Sequence, residues 1–212
     1  MTFNPKIHHR RSIRLKGYDY SQPGLYFITI CCQDRIHRFG HVQNNKMVLN
    51  EFGRIAHDEW QKLPVRFSNI ELGAFQIMPN HMHGVILINE VSVGSGFTPD
   101  QNQNEIKLQN EINHQNNIVW ATERDGTSER IRATARVAPT ATTTIPDIIG
   151  AYKSLVANGC LEIFKTNNQT MGKFWQRNYY ENIIRNEQSY QNISEYIINN
   201  PVKWQGDKFY LK

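Results

Sequence analysis

Two histidines in the sequence are spaced so that they could bind one metal ion. His81 and His83 flank Met82 in a segment rich in β-branched and aliphatic residues. Residues two apart on a β-strand project from the same face, so both imidazoles are predicted on the exposed sheet face and Met82 in the core. Neutral imidazoles commonly bind divalent metals, and a pair leaves coordination positions open. Such pairs also occur on strand faces without any metal, so spacing by itself leaves both interpretations open.

A second group of residues with chemical potential lies in the first 17 residues, which form a predicted basic arm. The chain carries 24 Lys and Arg against 19 Asp and Glu, a formal net charge of +5. The arm has no acidic residue and contains Lys6, Arg10, Arg11, Arg14 and Lys16. Segments of this kind commonly contact phosphates, although a solvated terminus has the same composition.

Length and composition exclude several classes of protein. The chain has 212 residues, 39% of them hydrophobic and 11% aromatic, which suits one folded domain and excludes a wholly disordered protein. No apolar run approaches membrane-spanning length, so we expect no membrane partner. The cysteines are Cys31, Cys32 and Cys160, which do not form a C-x-x-C motif. We therefore expect a reduced, cytoplasmic protein.

The elements that must position the two histidines follow from hydrophobic periodicity and from the residues that end helices. Strands are predicted at residues 25–32, 47–49, 70–78 and 81–89, and helices at 50–63, from Pro146 onward, and at 186–200. This order resembles the split βαβ, ferredoxin-like (RRM-like) arrangement. We therefore predict an α+β fold whose antiparallel sheet has its helices on one face and the other face free for a site.

One long segment does not fit this pattern. Of the 17 residues from Gln101 to Asn117, ten are Asn or Gln, and residues 132–144 are nearly all Ala, Thr and Arg. Neither stretch has a periodicity that could build a core. We interpret residues 91–144 as a polar, flexible insertion that interrupts a single domain spanning residues 18–205.

The segment Phe75–Leu87, which contains Asn80-His81-Met82-His83-Gly84, resembles the HUH strand (His, hydrophobic, His) of single-tyrosine transposases. Three further segments resemble the same group and occur in its order: residues 24–30, 174–180 and 196–203. Together they are most similar to the REP-associated tyrosine transposases. The resemblance spans residues 10–205 apart from the insertion, and it implies a nuclease of the HUH type with a C-terminal tyrosine helix.

The resemblance implies a nucleophile and a metal site. Tyr196 matches the nucleophilic tyrosine of the family, and Asn200, one helical turn later, matches the polar residue that completes the metal site with His81 and His83. Tyr179, Tyr180 and Tyr190 compete for the nucleophile; neither Tyr179 nor Tyr180 has an amide four residues later. Mg²⁺ or Mn²⁺ is the expected ion, whereas two imidazoles would equally suit Zn²⁺.

The resemblance also implies a reaction and a substrate. We expect a metal-dependent single-stranded DNA transposase or endonuclease that cleaves and rejoins strands through a 5′-phosphotyrosine intermediate at hairpin-forming repeat ends. Its partner would be single-stranded or hairpin DNA, and the protein would be a monomer or a homodimer. The residues expected to contact DNA combine cations with an aromatic ring: Arg10, Arg11, Arg14, Lys16, Trp175, Arg177 and Arg185.

Two other functional classes remain as alternatives. A nucleic-acid-binding module of ferredoxin-like fold with an inactive site would share the topology, but RNA-binding sheets of this kind expose aromatic residues where this strand has two histidines. A zinc hydrolase unrelated to DNA would need a further ligand near the pair, as in the motif H-E-x-x-H, and that motif does not occur.

Overall fold

The computed structural model describes residues 17–90 and 143–210. The arginines and lysines of the predicted basic arm, and residues 91–142 of the predicted insertion, lie outside these ranges. Among the described helices, none is long and apolar enough to cross a lipid bilayer. The strands are β1 (Gly24–Cys31), β2 (Gly40–Gln43), β3 (Lys46–Leu49), β4 (Ile70–Met78), β5 (His81–Ile88) and β6 (Tyr180–Ile184); the α-helices are α1 (Glu51–Gln61), α2 (Leu63–Arg66), α3 (Ile145–Thr166) and α4 (Glu187–Ile198).

The main sheet has four strands in the order β4-β5-β1-β6, and every neighbouring pair is antiparallel. Strand β1 pairs with β5 along its full length, from Gly24 opposite Ile88 to Cys31 opposite His81. The connection from β1 to β4 contains the β2–β3 pair, α1 and α2, and α3 precedes β6. This order confirms the predicted ferredoxin-like α+β fold.

The helices of the main core begin where their capping residues predict. Asn50 accepts a hydrogen bond from the backbone N–H of Gly53 (2.9 Å) at the start of α1. Thr144 and Asp147 form a capping box at the start of α3, with Pro146 in its first turn. The two helices then pack on one face of the sheet, where the Trp60 ring meets the edge of the Tyr152 ring.

The prediction of a free second sheet face is wrong, because helices cover both faces. Helix α4 packs against β4 on the face opposite α1 and α3, and Ile197 lies in a buried cluster with Val85 and Ile184. The apolar residues of β1 alternate onto both faces, with Tyr26 in the main core and Phe27 in the second cluster. A strand that is apolar on both sides requires cover on both sides.

The sequence analysis did not predict strands β2 and β6. Strand β2 pairs with β3 in a separate hairpin, whose turn residues Asn44 and Asn45 both have positive φ angles (51° and 61°). This conformation is typical of tight hairpin turns and is well tolerated by asparagine. Strand β6 is short and has Glu181 and Asn182 near its centre, so its alternation of apolar and polar residues is too weak to predict a strand. It nevertheless forms an edge of the main sheet by pairing with β1.

The contact between Gly84 and the Trp60 ring yields a prediction about stability. A Cβ atom at Gly84 would overlap the six-membered ring of Trp60, which is fully buried. We predict that Gly84→Ala lowers the free energy of unfolding by about 1–3 kcal/mol, because the packed core must move to accept the methyl group. Urea denaturation followed by tryptophan fluorescence measures this change.

The matched control is Gly150→Ala on the exposed side of α3, where a Cβ atom would meet nothing within 4 Å. It should stabilise the protein by about 0.5–1 kcal/mol, because alanine restricts the unfolded chain and favours the helix. Equal effects of the two substitutions would contradict the close packing of Trp60 on β5.

Candidate active site

His81 and His83 project from the same face of β5, and their Nε2 atoms lie 3.0 Å apart. Met82 points the other way into the main core, as the strand pattern predicts. The expectation that the imidazoles are exposed is wrong, since His81 and His83 have exposed fractions of 0% and 1%. The pair is therefore an interior feature of the fold.

The burial of the two imidazoles comes from the C-terminal segment (residues 204–210), which folds back over the sheet. The Phe209 ring lies 4.5 Å from the His81 ring and 6.0 Å from the His83 ring, measured between centroids. The Trp204 ring lies 5.8 Å from the His81 ring. Both aromatic side chains are themselves buried, so water is displaced from this side of the pair.

Hydrogen bonds determine which nitrogen of His81 carries the proton. The Asn80 side-chain amide donates to the carbonyl oxygens of Arg35 (3.2 Å) and Phe209 (2.8 Å), so its Oδ1 faces the His81 ring. That oxygen lies 2.8 Å from His81 Nδ1 and can only accept. Nδ1 is therefore the protonated nitrogen of neutral His81, and its Nε2 offers a lone pair towards His83.

Both imidazoles are held neutral by their surroundings. Burial lowers the pKa of His81 well below its usual value, and the neighbouring His83 lowers it further. Burial lowers the pKa of His83 to about 3, although Asp207 acts in the opposite direction. On the far side of its ring, His83 Nδ1 lies 2.8 Å from Thr29 Oγ1, a hydroxyl that can accept a hydrogen bond from it. The neutral imidazole is the form in which histidine binds metals.

Helix α4 brings Tyr196 to the histidine pair. Its apolar residue Ile197 packs onto the sheet, and this orientation places Tyr196 Oη 3.2 Å from His83 Nε2. The tyrosine ring also packs edge-on against Phe27 on β1. Asn200 follows two residues after the end of α4 and is buried, with an exposed fraction of 1%.

Asp207 is a site residue that the sequence analysis missed. Its Oδ2 accepts hydrogen bonds from Tyr196 Oη (3.2 Å) and Asn200 Nδ2 (3.0 Å), and its Oδ1 accepts one from the backbone N–H of Phe209 (2.6 Å). A ligand atom from each of His81, His83 and Asp207 lies within 4.8 Å of the others, so this cluster could hold a metal ion. A single aspartate after a glycine carries no sequence signal of this kind.

The side chain of Asn200 provides a test of whether the site suits a cation. Its Nδ2 must face the Asp207 carboxylate, which can only accept, so its Oδ1 points away from that group. Oδ1 is buried and has no hydrogen-bond partner in the described part of the chain. An unpartnered buried acceptor costs about 1–3 kcal/mol unless something electropositive meets it. Together with the two Nε2 lone pairs, this oxygen fits a metal ion.

Comparisons with known proteins agree with this architecture. No family model matches the chain. An uncharacterized protein of Haemophilus influenzae (strain ATCC 51907 / DSM 11121 / KW20 / Rd) is 37% identical over 209 residues, which cover 99% of this chain and 97% of that protein. The chain belongs to the same family as that protein.

A solved structure of a REP-associated tyrosine transposase bound to a REP hairpin superposes with a TM-score of 0.50. The match covers 92% of this chain and 76% of the solved one, at 15% sequence identity. The chain has the fold of the REP-associated tyrosine transposases. At this identity the likeness concerns the fold, and the chemistry must be argued from the residues of this chain.

Beside the histidine pair of this transposase fold lies a pocket of about 320 Å³. Tyr196, Asn200 and Asp207 line one part of it, and Lys203 and Lys208 supply positive charge to the rest. Burial, followed by the nearby Asp207 carboxylate, raises the pKa of Tyr196 to about 12. The hydroxyl is therefore protonated at neutral pH.

The residues expected to contact DNA fall into three groups: the cations of the basic arm, two arginines near β6, and Trp175. Arg10, Arg11, Arg14 and Lys16 lie outside the described residues. Arg177 and Arg185 are exposed on either side of β6.

The prediction that Trp175 contacts DNA is wrong. Its ring is buried, with centroids 5.4 Å from Phe39 and 6.0 Å from Tyr152, and its Nε1 donates to the carbonyl of Lys153 (2.9 Å). A ring held in the core cannot stack on a base.

Because the two imidazoles are buried, we expect the free energy of unfolding to depend on pH. Unfolded histidine has a pKa of about 6.5, whereas the pKa of both rings is lowered in the folded protein. Below about pH 6.5 the unfolded chain therefore binds more protons than the folded one, and the free energy of unfolding falls as the pH falls towards about 3.

Urea denaturation at about pH 7 and about pH 5, in the presence of a chelator, measures this dependence. Each buried imidazole contributes at most about 1.4 kcal/mol per pH unit, so His83→Gln should reduce the difference between the two pH values relative to wild type. An unchanged difference would mean that the His83 ring is not desolvated in the folded protein.

Proposed function

We propose that the protein is a metal-dependent single-stranded DNA transposase or endonuclease in which Tyr196 is the nucleophile. The observation that carries this proposal is the 3.2 Å contact between Tyr196 Oη and His83 Nε2. It brings a tyrosine hydroxyl to a pair of neutral imidazoles, beside a pocket with two lysines. A nucleophile, a metal site and cations around one pocket are the parts that phosphodiester cleavage requires.

In the proposed reaction, Tyr196 Oη forms a bond to the phosphorus atom and the bond from phosphorus to the 3′ oxygen breaks. The Tyr196 proton leaves to Asp207 Oδ2, which already accepts its hydrogen bond at 3.2 Å. The 3′ oxygen takes up a proton and departs as a hydroxyl, and the 5′ phosphate remains joined to the tyrosine. A 3′ hydroxyl can later attack this linkage and restore a DNA strand, so no external energy source is needed.

The residues proposed to hold the metal are His81, His83 and Asn200, with the Asp207 carboxylate adjacent to them. Asp207 Oδ2 already accepts two hydrogen bonds, whereas Asn200 Oδ1 accepts none from the described residues, so the amide oxygen is the freer ligand. A bound Mg²⁺ or Mn²⁺ would polarise the scissile phosphate and offset developing negative charge. Asp207 orients Asn200 and adds a negative charge that favours a divalent cation.

The proposed substrate is DNA with an unpaired segment, adjacent to a hairpin. Lys203 and Lys208 would neutralise the phosphate in the pocket, and the exposed Arg177 and Arg185 would contact the backbone nearby. The solved transposase of the same fold was bound to a REP hairpin, which motivates a hairpin here. The arginines of the basic arm are proposed as further phosphate contacts.

Metal binding is the first test of this proposal. We predict that Mn²⁺ binds the wild-type protein in a calorimetric titration and that His81→Ala and His83→Ala abolish the binding. Asp207→Asn should weaken it by about 10- to 100-fold, because Asp207 orients the Asn200 ligand.

His41→Ala, on an exposed strand outside the site, is the control and should bind Mn²⁺ as wild type does. Circular dichroism verifies that each variant is folded, and His83→Gln replaces His83→Ala if the cavity proves too destabilising. Binding that persists in folded variants of both histidines would exclude this metal site.

The nucleophile is the second test. We predict that Tyr196→Phe abolishes DNA cleavage and the detergent-resistant protein–DNA adduct, because it removes the attacking oxygen and retains the ring that packs on Phe27. Hairpin affinity should change little, since phosphate neutralisation and base stacking supply most of it. The assay uses labelled hairpins from the flanks of the gene, with Mn²⁺ present.

Tyr179→Phe and Tyr180→Phe are the controls for this test, and both should still form the adduct. An adduct that is lost in either control and retained in Tyr196→Phe would reassign the nucleophile. A wild-type protein that binds hairpins and never forms an adduct would instead be a binding module with an inactive site.

A further inference from the structure

The turn that follows β1 has a backbone conformation that residues other than glycine rarely adopt. It spans Gln33–Arg35, and Asp34 and Arg35 have φ angles of 55° and 53°. Aspartate tolerates this left-handed region comparatively well, whereas for arginine the close approach of Cβ to the backbone is a cost without a local gain. Such a conformation persists only where the surrounding structure holds it in place. We therefore expect contacts around Arg35 that offset this cost.

Asn80, the residue before His81, fixes both ends of this turn. Its backbone carbonyl accepts a hydrogen bond from the N–H of Cys32 (2.9 Å), and its side-chain amide donates to the carbonyl of Arg35 (3.2 Å). The same amide nitrogen donates to the carbonyl of Phe209 (2.8 Å) in the C-terminal segment. Asn80 has an exposed fraction of 0%, so these bonds are shielded from water. The turn and the C-terminal segment are therefore both attached to the residue that precedes the histidine pair.

The Arg35 side chain extends from the turn to the C-terminal segment. Its Nη1 donates a hydrogen bond to the carbonyl of Lys208 (3.1 Å), and its guanidinium carbon lies 5.3 Å from the centre of the Phe209 ring. That ring is the one whose centre lies 4.5 Å from the centre of the His81 ring. A guanidinium over an aromatic face combines a cation–π attraction with directed donors. Arg35 therefore holds the segment by one hydrogen bond and one ring contact.

These contacts act on the residues that directly follow Asp207 in the chain. Asp207 Oδ1 accepts a hydrogen bond from the backbone N–H of Phe209 (2.6 Å), and Lys208 lies between the two. Asp207 Oδ2 accepts hydrogen bonds from Asn200 Nδ2 (3.0 Å) and Tyr196 Oη (3.2 Å). A shift of Lys208 and Phe209 would move the Asp207 carboxylate with them. The hydrogen bond that orients Asn200 Oδ1 towards the proposed metal site would then be lost.

We infer that Arg35 is a positioning residue of the candidate active site. Its guanidinium holds the C-terminal segment, and the segment keeps Asp207 against Asn200. Arg35 acts through this series of contacts and takes no part in the chemistry. The left-handed backbone of the turn is the conformation in which the carbonyl of Arg35 meets Asn80 while its side chain reaches the segment. This inference rests on the proposed function, because it assigns Arg35 a role in holding the proposed metal ligands.

A role through position differs in sign from a role through charge. Burial, followed by the neighbouring His83, lowers the pKa of His81 most, and the positive charge of Arg35 acts in the same direction. That charge disfavours a cation at the site, so its removal by itself would strengthen the binding of a divalent metal. If Arg35 positions Asp207, its removal weakens this binding instead.

Arg35→Gly is the variant that tests this inference. Glycine adopts a φ of 53° without cost, and this gain offsets the lost side-chain contacts, so urea denaturation should give a stability close to that of wild type. In a calorimetric titration, Mn²⁺ should bind the variant about tenfold more weakly than it binds wild type. Arg35→Lys retains a donor and a cation near the Phe209 ring and should recover most of the affinity. Added to Asp207→Asn, Arg35→Gly should cause no further loss, because it acts through Asp207.

Asp34→Gly is the matched control. It removes the same left-handed conformation from the neighbouring residue (φ 55°), whose exposed carboxylate accepts a hydrogen bond from the Gln33 side chain (2.8 Å). It should bind Mn²⁺ as wild type does. An equal loss of affinity in Asp34→Gly and Arg35→Gly would assign the effect to the backbone of the turn and overturn the inference. Unchanged or tighter binding by Arg35→Gly would overturn it as well.

The side-chain amide of Asn200 provides a readout that needs no metal. Its ¹H–¹⁵N signals, identified by their absence in Asn200→Ala, should be protected from exchange with solvent in wild type, because Nδ2 is buried and donates to Asp207. Arg35→Gly should lose this protection to the level that Asp207→Ala shows, whereas Asp34→Gly should retain it. Full protection in Arg35→Gly would contradict the inference.

These outcomes are distinct from those that test the proposed function. If wild type binds Mn²⁺ and Arg35→Gly binds it equally well, the inference about Arg35 fails and the proposed function stands. If wild type binds no Mn²⁺, the proposed metal-dependent function fails, and the exchange of the Asn200 amide by itself decides whether Arg35 positions Asp207.

Discussion

The alternation of side chains along β5 is the constraint on which both the core and the candidate site depend. Met82 and Ile86 enter the main core, and Gly84 lies against Trp60. His81 and His83, which alternate with these residues along the strand, face the opposite side of the sheet. A shift of one residue in the pairing with β1 would exchange these two sets. The imidazoles would then enter an apolar core, so the register that stabilises the domain also assembles the histidine pair.

Removal of water gives the site its chemical character. The same C-terminal segment that covers the imidazoles carries Asp207, whose carboxylate accepts hydrogen bonds from Tyr196, Asn200 and the backbone of Phe209. Burial lowers the pKa of the imidazoles and raises that of the tyrosine. The groups are therefore two neutral imidazoles and a protonated tyrosine, grouped around one carboxylate that ties the segment to the end of α4. A displacement of the segment would change the position of the carboxylate relative to all of these groups.

The ferredoxin-like sheet supplies the histidines, and elements outside it supply most of the remaining surface. The β2–β3 hairpin lies between β1 and α1, and the C-terminal segment follows α4. A cleft of about 770 Å³ between the hairpin and this segment shares Lys203 and Gly206 with the pocket at Tyr196. The surface around the histidine pair therefore depends on these two elements as well as on the sheet.

Local patterns in the sequence determined the main elements of this protein. Period-two alternation identified β1, β4 and β5 and placed His81 beside His83. Asn50 and Pro146 marked the starts of α1 and α3. Both kinds of signal could be read from the sequence because they depend on residues close together in the chain. Tertiary structure decided the cover of the second sheet face, the burial of Trp175 and the position of Asp207. Tyr196 and His83 are 113 residues apart in sequence and meet only because α4 packs onto the sheet. The burial that lowers the histidine pKa values likewise comes from Phe209, whose position depends on contacts between distant segments rather than on any local pattern.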